Sequence, residues 1–266
     1  RGDNQNQTAA ASTAAATISQ GLRAKRWPDS RAATATWVGG SWSPLRTSRI
    51  AARLRNSAAI GAALGGMRPI HVHIRMDFIL LAMNQLINMA AKMKYMYGGS
   101  VTVPLVVRCI IGRSWGQGPQ HSQGLHSLFM HIPGLKIVAP VTPYDAKGCL
   151  IESIRDDNPV IFIEHRLLHG LESHVPEESY TVPFGSARVI EEGSDITIVG
   201  ISHAVVECLR ARDYLVEVGI NAEVIDPVAL SPLDIDTIVS SVRKTGTLLV
   251  VDNAWTNCGA SAEIIT

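Results

Sequence analysis

From residue 58 onward, short apolar runs bounded by turn residues alternate with segments of helical period, and this alternation limits what the chain can fold into. Residues 101–110 and 159–164 are nearly uninterrupted apolar stretches. A strand with one wet face alternates in polarity, whereas a run that is apolar throughout belongs to a strand covered on both faces. Around these runs the sequence predicts a small-residue helix over 58–66 and strands over 68–74 and 135–139. Further helices are predicted over 78–95, stopped by Gly98-Gly99, and over 121–130. Thr142-Pro143-Tyr144-Asp145 is a helix start: the threonine caps, proline fits the first turn and aspartate faces the positive end of the helix dipole. The expected fold is α/β, a parallel sheet with helices on both faces.

A polar stretch over 171–183, with Glu172, Glu177, Glu178 and two prolines, reads as a linker. The alternation then restarts. Strands are predicted over 195–201, 222–225 and 247–252. A helix over 204–218 closes at Gly219, and another opens at Ser231-Pro232-Leu233-Asp234 and closes at Gly246. The expected organisation is a first α/β domain over 58–180 and a partial second α/β domain over 181–266, its pattern unfinished at Thr266.

Hydrophobic residues make up 46% of the chain and charged residues 18%, enough apolar material for a buried core. The most membrane-like segment, 78–93, is interrupted by Asn84, Gln85 and Asn88 and reads as a helix of a soluble fold. The net charge of +1 hides an asymmetry: residues 1–57 hold nine Lys and Arg against two Asp, and the remainder holds 15 against 21. The acidic body gives no reason to expect a nucleic-acid or membrane partner. Cys109, Cys149, Cys208 and Cys258 form no CxxC pair, which points to buried thiols in a reducing compartment. Residues 1–57 show no sustained period and carry three of the five tryptophans, so they read as an anomalous basic segment.

No P-loop, GxSxG or HExxH motif is present. His71 and His73 share one strand face but lack a third ligand. Glu164-His165 has the composition of an acid–base pair, yet its strand-end position favours a structural role. The glycine-rich loop 112–118 is by itself a weak phosphate signal. The informative feature is an ordered string: IGAALGGMRPI, AMNQLINMAAKMKYMYGG, VPLVVR, PQHSQGLHSLFMHIPGLKIVAP, DAKGCLIESIRDDNPVIFIEHRLLHG and SPLDIDTIVSSVRKTGTLLVVDNAW. Together these resemble the transketolase-like β subunits of the E1 component of 2-oxo acid dehydrogenase complexes, with pyruvate dehydrogenase the member most resembled. The resemblance covers roughly four-fifths of the chain.

The resemblance implies a thiamine-diphosphate pyrimidine-binding domain followed by part of a transketolase C-terminal domain. It implies decarboxylation of a 2-oxo acid and acyl transfer to the lipoyl group of an E2 acyltransferase. The cofactor would lie between this β subunit and an α subunit holding its magnesium-bound diphosphate, in an α2β2 heterotetramer. The compartment expected is the bacterial cytoplasm, or alternatively the mitochondrial matrix. Phe78 matches the family's aromatic residue against the pyrimidine ring, and Ile74 an apolar position beside it. His121, in QHSQ, matches the active-site histidine. Leu105, Ser153, Asp156 and Asn158 match a region where some members hold a structural potassium ion, a hard cation that takes oxygen ligands. Read without the resemblance, Phe78 is a core residue, His121 a helix-entry residue, and Asp156 and Asn158 members of an ordinary turn before Pro159.

One departure matters. The family's essential glutamate, which promotes the imino tautomer of the cofactor, falls at position 52, and this chain has Ala52. The first glutamate anywhere is Glu152, and Asp77 lies on the wrong side of the strand. Three explanations for residues 1–57 compete: a transit peptide, a diverged inactive subunit and, the one favoured, a disturbed reading frame that rejoins the family near Ser57. The chain as printed is expected to be inactive, and an assembly-only subunit is the alternative role.

Overall fold

A computed structural model describes residues 34–36, 49–114 and 116–266, with side chains from Arg55 onward. Most of the basic segment therefore lies outside the described residues. Its end does not. Helix α1 (Arg49–Leu64) starts nine residues before the expected onset and runs through position 57 without a break, because the alanines on either side are strong helix formers. A short strand, β1 (Thr34–Thr36), pairs antiparallel with β6 (Glu172–His174).

The first sheet has the order β10-β4-β5-β3-β2. β2 (Ile70–His73), β3 (Val106–Ile111), β4 (Lys136–Val138) and β5 (Val160–His165) are parallel, as expected. All six residues of β5 are buried, which is why its first four are apolar, and Glu164 and His165 at its end are buried with them. β2 is an edge, with Ile70 and Val72 well exposed. The segment expected to form one helix over 78–95 is helical but changes winding. It is a 3-10 helix over Met76–Ala82, π over Asn84–Ala90 and α only in α2 (Ala91–Met96). The helix expected over 121–130 shrinks to α3 (His126–Met130), and its first five residues stay in the loop. Gly118, just before that stretch, takes a positive φ, and Gly124 within it lies close to Ala254 and the His126 ring.

α4 (Pro143–Arg155) begins as the sequence predicts. Thr142 Oγ accepts from the Asp145 N–H at 3.0 Å, with Pro143 in the first turn. The stretch read as a polar linker is held down. Lys147 Nζ donates to the carbonyls of Pro176, Glu177 and Glu178, and Tyr180 stacks on Tyr144 at 4.4 Å.

The second sheet has the order β11-β8-β9-β7. β8 (Ile196–Gly200), β9 (Ala222–Asp226) and β11 (Leu248–Val251) are parallel, and β7 (Arg188–Glu191) closes the edge antiparallel. Helices α5 (Ala204–Glu217) and α6 (Ile235–Thr245) cross over between its strands. Asp234 caps α6 by accepting from the Thr237 N–H, and Gly246 ends it in the left-handed region. A last helix, α7 (Ala260–Ile265), follows β11. What the periodicity does not predict is β10 (Ala229–Ser231). It leaves the second sheet after β9 and pairs antiparallel with β4 of the first. Accordingly one buried apolar cluster contains Ile161 and Ile163 together with Val199, Ile201 and Ile225.

Buried charge bridges the same joint. Arg188 reaches Asp145 at 3.0 Å, and Asp226 Oδ1 accepts from the Val228 N–H at 2.9 Å. Asp226 Oδ2 has no partner among the described residues. Burial pushes the Asp226 carboxyl up to about 7, with Asp145 adding to the shift and the Val228 N–H and Arg188 opposing it.

Two predictions follow from these contacts. Gly134 has φ +97°, and a Cβ there would lie 2.1 Å from the Ala91 carbonyl oxygen. Gly134→Ala is expected to cost at least about 2 kcal/mol in chemical denaturation, through the strained backbone and the clash with an oxygen that cannot swing away. For Asp226, the folded value lies above the unfolded value of about 4. The folded state therefore holds its proton longer, and stability is lost as pH rises from about 4 to 7. Asp226→Asn carries no such penalty. Its melting temperature relative to wild type is expected to climb between pH 5 and 7.5 and then level off, and a difference constant with pH would show that Asp226 is not the group responsible.

Candidate functional site

The carboxyl ends of β2, β3 and β5 converge, as parallel sheets arrange for ligands. Ile74 follows β2 and is 48% exposed, and Phe78, in the 3-10 turn after it, is 42% exposed. An exposed phenylalanine beside an exposed isoleucine is not core packing, so the reading of Phe78 as a buried helix residue fails. His121 lies in the loop between β3 and α3, and its ring meets Phe78 edge to face, with centroids 5.2 Å apart at 77°. The structure thus brings His121 and Phe78 together and places Ile74 four residues before Phe78 on the same chain turn.

Polar groups fix this turn from behind. Arg75 is buried and directs Nε and Nη2 to Gln117 Oε1 at 3.0 and 2.9 Å, and Nη1 to the Ile74 carbonyl at 2.7 Å. Gln123 Nε2 donates to Asp77 Oδ1 at 2.8 Å, while Asp77 Oδ2 has no partner among the described residues. Sequence reading missed these partners; the one available signal was Gln123, the last letter of the QHSQ block.

Glu164 and His165 do not form a pair with each other. Arg108 holds Glu164 through Nη2 at 2.9 Å and Nε at 2.7 Å, in a position where the carboxylate is almost wholly buried. Burial still prevails over the arginine and pushes Glu164 up to about 7. His165 stacks on His203, with centroids 4.6 Å apart at 18°. Burial holds it neutral, down to about 3, with His203, His169, Arg113 and Arg166 adding repulsion. His73 is likewise lowered to about 3, chiefly by burial, and accepts from the Asn56 side-chain amide at 3.0 Å. That bond ties α1 to β2. Among the described residues no group of three His, Cys, Asp or Glu side chains is placed to hold a metal.

The apolar face of Ile74 and Phe78, with the His121 ring against it, fits one side of an aminopyrimidine ring. Position 52 lies one helical turn before Asn56 in α1, and its side chain is outside the described residues. Alanine there carries no acidic proton whatever its orientation.

Of the four positions matched to a potassium site, Ser153, Asp156 and Asn158 lie at the end of α4 and just after it, and Leu105 lies just before β3. The buried Leu105 offers its carbonyl to the Val160 N–H at 2.9 Å, and Ser153 Oγ donates to the Cys149 carbonyl at 2.6 Å. Asp156 bonds Lys136 and both the backbone N–H and the side-chain amide of Asn158. Burial works to raise its pKa, yet Lys136 and Asn158 hold it below the usual carboxylate value. Asn158 Oδ1 accepts from Lys94 at 3.2 Å, and Arg68 takes the carbonyls of Ile154 and Asp156, each at 3.0 Å. Lys94, Lys136 and Arg68 thus engage oxygens of Asp156 and Asn158, whereas the Leu105 carbonyl and Ser153 Oγ keep free lone pairs.

Comparison with known proteins agrees with this architecture. Residues 56–170 match the family described as "Transketolase, pyrimidine binding domain" and residues 185–266 that described as "Transketolase, C-terminal domain". The β subunit of acetoin:2,6-dichlorophenolindophenol oxidoreductase from Cupriavidus necator is 49% identical over 207 residues, covering 78% of this chain and 61% of that protein. The pyruvate dehydrogenase E1 component subunit β of Porphyra purpurea is 46% identical over 207 residues, covering 78% and 62%. The chain thus spans about three fifths of the curated relatives it matches. Among solved structures, a split-gene transketolase, described as an inactive β4 tetramer, superposes with a TM-score of 0.66 at 22% identity, over 80% of this chain and 68% of its own. The shared fold, the two family matches and the identity to these relatives place the chain, over residues 56–266, among the transketolase-like proteins with a pyrimidine-binding and a C-terminal domain.

Proposed function

We propose that the chain is the β subunit of a thiamine-diphosphate-dependent 2-oxo acid dehydrogenase E1, acting with an α subunit in an assembly of two α and two β chains and passing an acyl group to a lipoyl-bearing E2. The observation that carries this reading is the exposed pair Ile74 and Phe78 with His121 against it, at the carboxyl ends of a parallel sheet. Thiamine diphosphate, when bound, supplies the carbanion chemistry. Ile74 and Phe78 would pack on its pyrimidine and keep water from that side. His121 would present a ring N–H or lone pair to charge developing on the substrate side. Arg75, Gln117, Gln123 and Asp77 hold the two segments in register. The magnesium-bound diphosphate is assigned to the α subunit. Pyruvate is the proposed substrate, with acetoin-type chemistry the competitor that the relatives' names raise.

Ala52 gives a second reading its support. Without a proton donor to the pyrimidine, the chain as printed would contribute assembly contacts and no catalysis. The two readings part on one experiment. The chain is co-expressed with the α subunit of a pyruvate dehydrogenase E1, and cofactor-dependent decarboxylation is assayed with Ala52 and with Ala52→Glu. Activity is expected to be at background for the first and at least about 10²-fold higher for the second, the scale of one general acid. No gain, in a complex that assembles and binds cofactor, would remove position 52 from the site.

In the Ala52→Glu background, His121→Ala is expected to lower turnover by about 10²-fold or more while shifting the melting temperature by under about 2 °C, since His121 is partly exposed and its ring meets Phe78 edge to face. Equal losses of turnover and stability would make it a structural residue.

A further inference from the structure

The loop carrying His121 leaves β3 at Gly112, where it lies against His165 of β5, and enters α3 at His126, where it meets the segment that follows β11 of the second sheet. At the first end Gly112 has φ +92°, and a Cβ there would lie 2.2 Å from His165 Nε2. Only glycine lets the backbone approach that ring, and the ring itself stacks on His203 at the head of α5. At the other end His126 Nε2 meets Asp252 Oδ2 at 2.9 Å, with the two side chains 2% and 5% exposed. Asp252 follows β11, and its second oxygen accepts from the Ala254 N–H at 3.0 Å. A Cβ on Gly124 would touch Ala254 Cβ at 3.3 Å and the His126 ring at 3.4 Å, so backbone, ring and the segment after β11 are in contact there.

Between these ends the loop has its own ties to the site. Gln123 reaches Asp77, next to Phe78, and the Leu125 N–H points to Met76 Sδ at 3.4 Å. The chain therefore runs from Asp252 through His126 and Gln123 to the turn that bears Phe78.

We propose that His126 and Asp252 are a positioning pair through which the second sheet sets the conformation of the His121 loop. The pair touches neither substrate nor cofactor; it acts through Gln123 and His121. A hydrogen bond to a charged group in a water-free site is stronger than one at the surface, and removing one partner strands the other. The inference rests on the reading of His121 given above, and its test does not depend on that reading.

Amide hydrogen exchange is measured by mass spectrometry on the full chain. In His126→Leu, residues 116–124 are expected to exchange about tenfold faster or more, the size of one such bond, while peptides from β3 and β5 keep their rates. His126→Gln retains an N–H able to reach Asp252 and is expected to restore exchange to within about threefold of wild type. Asp252→Ala, which cuts the pair from the other side, is expected to reproduce the loosened loop even if His126→Leu fails to fold. Unchanged exchange over 116–124 in both disruptive variants would overturn the proposal, as would an equal rise over the loop and both strands. If the loop loosens as expected while His121→Ala leaves turnover intact in the Ala52→Glu complex, the positioning pair stands and the catalytic reading of His121 falls.

Discussion

The pairing of β10 with β4 fixes the spacing of the two sheets, and the rest of the geometry depends on it. β10 follows β9 after two residues, so the second sheet cannot move away from the first without breaking strand hydrogen bonds as well as apolar packing. Val228 at the corner has a positive φ, an expensive conformation for a β-branched residue that surrounding contacts must hold in place. With the sheets locked, apolar residues from both form one core. His165 at the end of β5 then faces His203 at the head of α5, and His126 at the head of α3 faces Asp252 just after β11.

The interior of this joint is unusually polar. Glu164, Asp145, Asp226, His165 and His126 are all nearly or fully buried. Burying ionisable groups costs free energy unless they are neutral or paired. The molecule uses both solutions. Glu164 keeps Arg108 and Asp145 keeps Arg188, while His165 and His73 are held neutral by burial. Such pairs add little net stability, but their directional bonds admit few alternative arrangements of the two sheets.

Local signals carried much of the fold. Buried strands read as apolar runs because both of their faces are covered, and α4 and α6 were legible from Thr142, Pro143, Asp234 and Gly246, whose chemistry acts within one turn. What escaped was set by distant contacts. β10 is three residues long with no period of its own, and its partner lies about ninety residues earlier. The winding changes over Met76–Met96 do not alter the apolar pattern enough to be seen. At the site, Phe78 and His121 came from the family resemblance and the structure brings their rings together, yet the partners that orient them had no motif. The same resemblance pointed to a potassium site, and nothing in the sequence showed that Lys94, Lys136 and Arg68 bond oxygens of Asp156 and Asn158 there.

The edge strand β2 has a consequence for handling the chain. Among the described residues its only sheet neighbour is β3, which leaves one side of its backbone without ladder partners, and Ile70, Val72 and Ile74 are exposed along it. A bare edge with apolar side chains is a template for strand addition by any extended segment that meets it. No lysine, proline or bulge within Ile70–His73 blunts it. Produced alone, the chain sets correct folding against edge-to-edge aggregation, and the outcome turns on concentration. Solubility then becomes a property of whatever covers β2, and loss of that cover would show first as precipitation.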